Sequence, residues 1–301
     1  MSWLLFAFLA YLFLAIASVF DRYLLIGPIA NPRVYAIYHG LLWLGAGVVL
    51  LPFISFELPL KVILFGVGAG LARIFAIMFM AKGIASQEVS RVLPIIGALI
   101  PIFLFVFVLI FFPGSSNADL SYILAFALLI IGSVLISARR ITSLLGSLKN
   151  ALYPAIAAFL FAVGFLLTKT LFLESDFLSG LFIILLGGGL GAGILLLNPT
   201  AIKEIISNKR SVGKSMLFFV VGAGFGGLGV LSQFYAVFLA EPGQIPLINA
   251  LEGIRDVFLL GLIYLVSLWN PQLLKEEMKG AVIGQKVFAI LLIWFGLILL
   301  R

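Results

Sequence analysis

The sequence predicts an all-α membrane protein of ten transmembrane helices, arranged as a five-plus-five inverted-topology repeat. Three observations carry this expectation. The 301 residues are 63% hydrophobic and only 10% charged, where a soluble domain is about 45–50% apolar and about 25% charged. The apolar runs are continuous and match the roughly 20 residues a spanning helix needs, without the alternation of a transmembrane barrel. Short matches also recur in the same order in the two halves.

The spans follow in order from the charge-free runs. They lie near 3–22, 33–54, 61–82, 89–112, 119–138, 151–172, 178–197, 214–238, 245–269 and 284–300. The first opens "MSWLLFAFLAYLFLAIASVF", which has no basic leader and exceeds the 7–15 apolar residues of a signal peptide, so it reads as a retained helix. The third is interrupted by Arg73, and the fourth contains Pro94 and Pro101, which bend a helix and free carbonyls. The ninth carries Glu252, Arg255 and Asp256 within an apolar run, with Pro246 suited to its first turn. "GPIANPR", "PGSSNAD", "AEPGQ" and "WNPQ" mark short connections. The longer connections, near 139–150, 198–213 and 270–283, hold no soluble domain.

The repeat rests on several weak matches in common order. "VGAG" occurs at 67–70 and 221–224; Phe79, Ala81, Ala85 and Phe103 match Phe234, Ala236, Ala240 and Phe258. "VFDRYLL" (19–25) aligns with "LLTKTLF" (166–172), pairing Arg22 with Lys169, and "FALLIIGSVLI" (126–136) resembles "FAILLIWFGLILL" (288–300). The halves are residues 1–138 and 151–301, joined by a linker at 139–150. Five is odd, so the second half enters the membrane from the opposite side, as in many secondary transporters. Fourteen Lys and Arg fall on the side of loops 1–2, 3–4, 5–6, 7–8 and 9–10, against three on the other. The positive-inside rule then places both termini outside the cell membrane.

Composition excludes several functions. There is no cysteine, and His39 is the single histidine; thiolate chemistry and His- or Cys-based metal sites are absent, and no cofactor is expected. The twelve acidic residues lie mostly in loops, without the clusters of a membrane-embedded transferase. The net charge of +7 sits in the gaps between spans, a mark of orientation and not of nucleic-acid binding. "GAGFGG" (222–227) satisfies the dinucleotide fingerprint but lies within a helical run with no strand before it. Gly222 and Gly226, like Gly66 and Gly70, instead suit close helix packing. "GKS" (213–215) lacks the earlier glycine of a phosphate-binding loop, because Asn208 stands there.

The candidate site residues are the charges and amides within spans. Arg73 lies near mid-bilayer, where a charge costs about 2.5–3.5 kcal/mol on insertion scales unless it meets a cavity or partner. An anion-binding role and a structural ion pair or carbonyl clamp both remain open. Gln233, Asn249 and Arg255 are further substrate-binding candidates; Gln233 and Asn249 can equally join neighbouring helices. Glu252, Asp256 and Glu88 are candidates for proton coupling, and Arg255 can pair with Glu252 three residues away. Arg22 and Lys169 are candidate gate residues at repeat-related positions, or they snorkel to the interface. Asp21 is the expected partner of Arg22, and Arg91 that of Glu88. His39 reads as a packed, hydrogen-bonded histidine before it reads as a proton relay.

"DRYLL…NPRVYAIYHGLLWLG" (21–45), "AKGIASQEVSRVLPIIGALIPIFLFVF" (81–107), "LINALEGIRDVFLLGLIYL" (247–265) and "LLKEEMKGAVIGQKVFAILLIWFGLILL" (273–300) together resemble the EamA-type branch of the drug/metabolite transporter superfamily. The resemblance covers nearly the whole chain. It implies a proton- or gradient-driven carrier whose first to fourth and sixth to ninth helices surround a cavity. Many relatives keep both termini in the cytoplasm, opposite to the charge count. The expected function is export of a small polar metabolite, such as an amino acid or other carboxylate, by alternating access. A lipid-linked sugar flippase and a membrane scaffold are the alternatives. The expected partners are the small-molecule substrate and the bilayer, with the chain a monomer or homodimer.

Overall fold

A computed structural model describes residues 2–26, 31–54, 58–86, 89–115, 119–137, 151–207, 216–269 and 280–299. Among them the regular structure is entirely helical. The helices are α1 (Ser2–Ile26), α2 (Pro32–Leu50), α3 (Leu60–Ser86), α4 (Val89–Phe111), α5 (Leu120–Ser137), α6 (Leu152–Phe172), α7 (Phe177–Leu196), α8 (Pro199–Ser207), α9 (Met216–Leu239), α10 (Ile245–Ala250), α11 (Gly253–Trp269) and α12 (Gly280–Leu299). Seven of these (α1–α4, α6, α7 and α9) are long and apolar enough to cross a membrane, and α5 and α12 are shorter apolar helices. Large apolar side chains such as Leu5, Val49, Leu60, Leu217 and Phe288 lie exposed along them. A surface of that kind suits lipid and not water. The molecule is a multi-pass, all-α membrane protein.

Two elements differ from the sequence expectation. The ninth span is not one helix over 245–269. It breaks at Leu251–Glu252 into α10 and α11, because Gly253 packs its backbone against Ser133 of α5, where a Cβ would meet Ser133 Oγ and Cα. The 198–213 connection contains the short helix α8 over Pro199–Ser207. The linker at 139–150 lies outside the described residues.

Helix starts are set by side-chain acceptors that satisfy orphan N–H groups. Asn31 Oδ1 accepts from the Arg33 and Val34 amides at 2.8 and 3.3 Å, and Pro32 occupies the first turn of α2. Asp119 Oδ1 accepts from Tyr122 N at 2.8 Å. Asp176 caps α7 through Ser179 N at 3.0 Å. Partial burial alone would raise the Asp176 carboxyl, but hydrogen bonds from Ser179 and neighbouring amides outweigh it and hold it below the usual range. Pro246 sits in the first turn of α10, where its missing N–H costs nothing.

Packing pairs helices from opposite halves: α1 lies along α9, α6 along α3, α2 along α7, and α5 along α12. α4 packs on α6, and α11 on α1. In lipid, such contacts depend on close approach at small residues and not on the hydrophobic effect. The contacts come in matched pairs. Gly68 meets Leu167 as Gly222 meets Phe20; Gly164 meets Ala72 as Gly226 meets Ala17. At the α5–α12 seam, Gly132 meets Ile293 and Ala289, while Gly296 meets Leu129 and Ala125. A second recurring stretch, "LGAG" at 44–47 and 190–193, lies on the paired helices α2 and α7.

Candidate functional site

α3 carries Arg73 into the centre of the bundle, where the side chain is 5% exposed. Its stem passes over Gly164 of α6; a Cβ there would stand 3.1 Å from Arg73 Cγ. The guanidinium lies 4.6 Å from the ring centres of Phe165 and Phe234 and 6.0 Å from that of Trp43. Cation–π attraction in such a desolvated cage contributes about 2 kcal/mol. Arg73 Nη2 donates to Gln233 Oε1 at 2.9 Å. Arg73 Nη1 is buried and has no hydrogen-bond partner among the described residues. The cage supplies rings and one amide oxygen but no carboxylate, so a permanently charged group retains a free donor. A free guanidinium N–H can donate to an acceptor such as a carboxylate oxygen.

Tyr11 of α1 connects this cage to the helix break. Its hydroxyl donates to Ile248 O at 2.6 Å, in the last turn of α10. It also interacts with the Gln233 side chain and lies in the electrostatic field of Arg73, Glu252 and Arg255. At the break, Ser133 Oγ donates to Ala250 O at 2.8 Å and accepts from Gly253 N at 3.0 Å. Asn249 O accepts from Glu252 N, Leu251 O from Ile254 N and Glu252 O from Arg255 N. The carbonyls around the break therefore have protein donors, and the interrupted backbone is satisfied where water is scarce. Beyond it, Arg255 Nη1 pairs with Glu252 Oε1 at 2.8 Å, and Arg255 Nε lies 3.6 Å from Asp256 Oδ1. Two carboxylates thus share one guanidinium.

Of the residues singled out in the sequence, the structure brings Arg73 and Gln233 into one contact and Glu252, Arg255 and Asp256 into another. Asn249 is buried, and its Nδ2 donates to Ile245 O of its own helix at 3.1 Å. Lys169 is buried, and its ammonium donates to Val237 O, Phe238 O and Ala240 O at 3.3, 3.3 and 2.5 Å. It thereby caps the carbonyl end of α9, an arrangement the helix dipole favours; it does not snorkel. His39 Nδ1 contacts Tyr35 O at 3.0 Å and its ring packs on Tyr35 at 4.4 Å. Glu88 and the side chains of Asp21, Arg22 and Arg91 lie outside the described residues. Among the described residues no cluster of three or more His, Asp or Glu could hold a metal ion.

The sequence reading passed over Tyr11, Ser133 and the rings of Trp43, Phe165 and Phe234. Tyr11 and Ser133 are hydroxyl groups within apolar runs, a signal that can be read. The three rings are indistinguishable in sequence from the other aromatics of a chain with twenty-nine Phe.

No protein-family model and no curated protein matches the sequence. The chain is similar to a solved structure described only as a crystal structure of a protein. The TM-score is 0.68 over 100% of this chain and 98% of that one, at 14% sequence identity. At that identity the likeness shows the shared fold alone.

Proposed function

We propose that the protein is a secondary transporter of the EamA type that exports a small metabolite bearing an anionic group, such as an amino acid or other carboxylate, by alternating access coupled to protons. The observation that carries this reading is the buried Arg73 guanidinium with its unpartnered Nη1. A buried cation held only by rings and an amide is expensive as a purely structural device, and intramembrane charges mark substrate pathways. The matched contacts of Gly68 and Gly222, Gly164 and Gly226, and Gly132 and Gly296 support a five-plus-five inverted repeat of ten spans, the ninth discontinuous. Discontinuous helices at the repeat interface are where such carriers hold substrates and coupling ions. The pair of Glu252 and Asp256 around Arg255 supplies the proton acceptor.

The test compares metabolite efflux from cells expressing the wild type with cells expressing Arg73→Ala and Arg73→Lys. At least one carboxylate should leave wild-type cells faster, and Arg73→Ala should abolish that difference. Arg73→Lys should retain a fraction, because the charge persists without the planar fork. An unchanged metabolite profile on expression of the wild type, or full efflux by Arg73→Ala, refutes the reading.

A further inference from the structure

One interface of the bundle is shut while its repeat-related counterpart stands open. On the shut side, α3 docks on α7 through four contacts. Gly66 meets Ile183, Val67 meets Gly187, Gly70 meets Ile184 and Gly188, and Ile74 meets Gly191. These glycines are obligatory there, since a Cβ on Gly70 or Gly187 would overlap the opposing backbone. The same end of the bundle is fastened by the Lys61–Glu174 ion pair and by Lys169 on the α9 carbonyls.

The recurring stretches give the register of the counterpart. "VGAG" maps 67–70 of α3 onto 221–224 of α9, and "LGAG" maps 44–47 of α2 onto 190–193 of α7. The mates of Val67 and Gly187 are then Val221 and Leu41; those of Gly70 and Gly188 are Gly224 and Leu42; those of Ile74 and Gly191 are Leu228 and Gly45. Val221, Leu41, Leu42 and Leu228 are exposed by 37–47%. Gly224 and Gly45 have nothing near the position of a Cβ, within 4 Å. Along α9 these residues recur at helical spacing on one face, as they do on α2. The mates of Gly66 and Ile183 are Val220, which is exposed, and Ile37, which is buried in a cluster with Ile74 and Leu195; the open stripe on α2 therefore starts at Leu41, and it is apolar and registered on that of α9.

Building on the alternating-access reading, we propose that α9 docks this face (Val221, Gly224, Leu228) onto α2 (Leu41, Leu42, Gly45) in the opposite state of the carrier, as the α3–α7 seam releases. The occupant of the exposed stripe is the chain's own second helix, not a lipid or another protein. The two seams are unequal. α7 offers Gly187 and Gly188 where α2 offers Leu41 and Leu42, so α2 and α9 cannot approach as closely as α3 and α7 do. Looser packing loses dispersion contacts, and the α2–α9 seam is the weaker of the two. The described conformation, with α3 and α7 shut, is accordingly the resting one.

The chain has no native cysteine, so paired cysteines report the seam directly. A disulfide requires Cα atoms within about 7 Å. The pairs Gly45→Cys/Leu228→Cys and Leu42→Cys/Gly224→Cys are introduced separately and oxidised in native membranes with copper phenanthroline. Each should form an intramolecular cross-link, read as loss of maleimide-reactive thiol at unchanged chain mass. Adding Gly224→Trp to the first pair should abolish that cross-link while leaving detergent-extracted protein monodisperse, since the ring enters open space here but fills the closed seam. Free thiols that label fully but never cross-link overturn the proposal, as does cross-linking only between two chains. Because the cross-link is read without substrate, an absent seam alongside active efflux removes only this proposal. A closing seam alongside absent efflux removes only the transport reading.

Discussion

Arg73 is buried and Glu252 half-buried in the bundle, and Tyr11 is the residue that touches the surroundings of both. Removing its hydroxyl leaves Ile248 O without its 2.6 Å donor. An orphaned buried carbonyl costs about 1–3 kcal/mol. Tyr11→Phe should therefore lower the thermal midpoint in detergent, and Tyr11→Trp should do so further by overpacking. An unchanged midpoint in Tyr11→Phe would mean that water replaces the phenol and that α10 is not held by α1. The Glu252–Arg255–Asp256 group makes a separate prediction. Glu252→Gln and Asp256→Asn remove one negative charge each while keeping shape. Both should fold, and at least one should lose gradient-driven transport by about tenfold, equal to about 1.4 kcal/mol, while substrate exchange persists. Full pH-dependent transport by both would make the cluster structural. Residue-scale chemistry was legible where a charge stood in an apolar run, as at Arg73 and Glu252. It was not legible at Phe165 or Phe234, whose role depends on which helices meet.

The helices themselves were legible because continuous apolarity sets a helix in lipid, whereas their interruptions depend on tertiary contacts. The break after Ala250 illustrates this. Pro246 and Gly253 stand in the sequence, but the break exists because Ser133 of another helix satisfies Ala250 O and Gly253 N. The same element scale governs helix starts, and α7 gives a pH-dependent case. Asp176 accepts from Ser179 N at 3.0 Å, and its carboxyl is held below its ordinary value in the folded state. A group with a depressed folded pKa contributes stability above its unfolded pKa of about 3.9. That contribution is lost as pH falls through the folded value. Melts of the wild type in detergent should thus show a contribution that fades below about pH 4. Asp176→Ala should cost about 1 kcal/mol at neutral pH, as for other caps. The variant and the wild type should converge as the pH falls. A difference that stays constant to low pH would mean that the carboxylate charge adds nothing to the cap.

At the scale of the whole molecule, the paired contacts and the charge distribution bear on different questions. The weak internal matches point to a duplication, and the proposed repeat draws on the contacts of Gly68 with Leu167 and of Gly222 with Phe20. "VGAG" is identical at 67–70 and 221–224, so the sequence of α3 and α9 alone does not tell which of the two helices is packed there; the glycines of α7 opposite α3 and the leucines at 41 and 42 of α2 carry the difference. The direction in which the molecule sits follows from charge instead. Of the three basic residues on the poorer side, Lys61 pairs with Glu174 and Lys169 is buried against α9 carbonyls. Both have structural work at that end and add little to the orientation signal, so the bias toward the other side strengthens. For ten spans the positive-inside rule predicts both termini outside, the fastened α3–α7 end outward, and the proposed α2–α9 seam toward the cytoplasm. An alkaline phosphatase fused after Arg301 should then be active and a fluorescent reporter at the same position dark. A fluorescent fusion with an inactive phosphatase would reverse the assignment and turn the seam outward. The orientation implied by the EamA resemblance would then hold, and the Lys and Arg of the rich side would need a role other than topology.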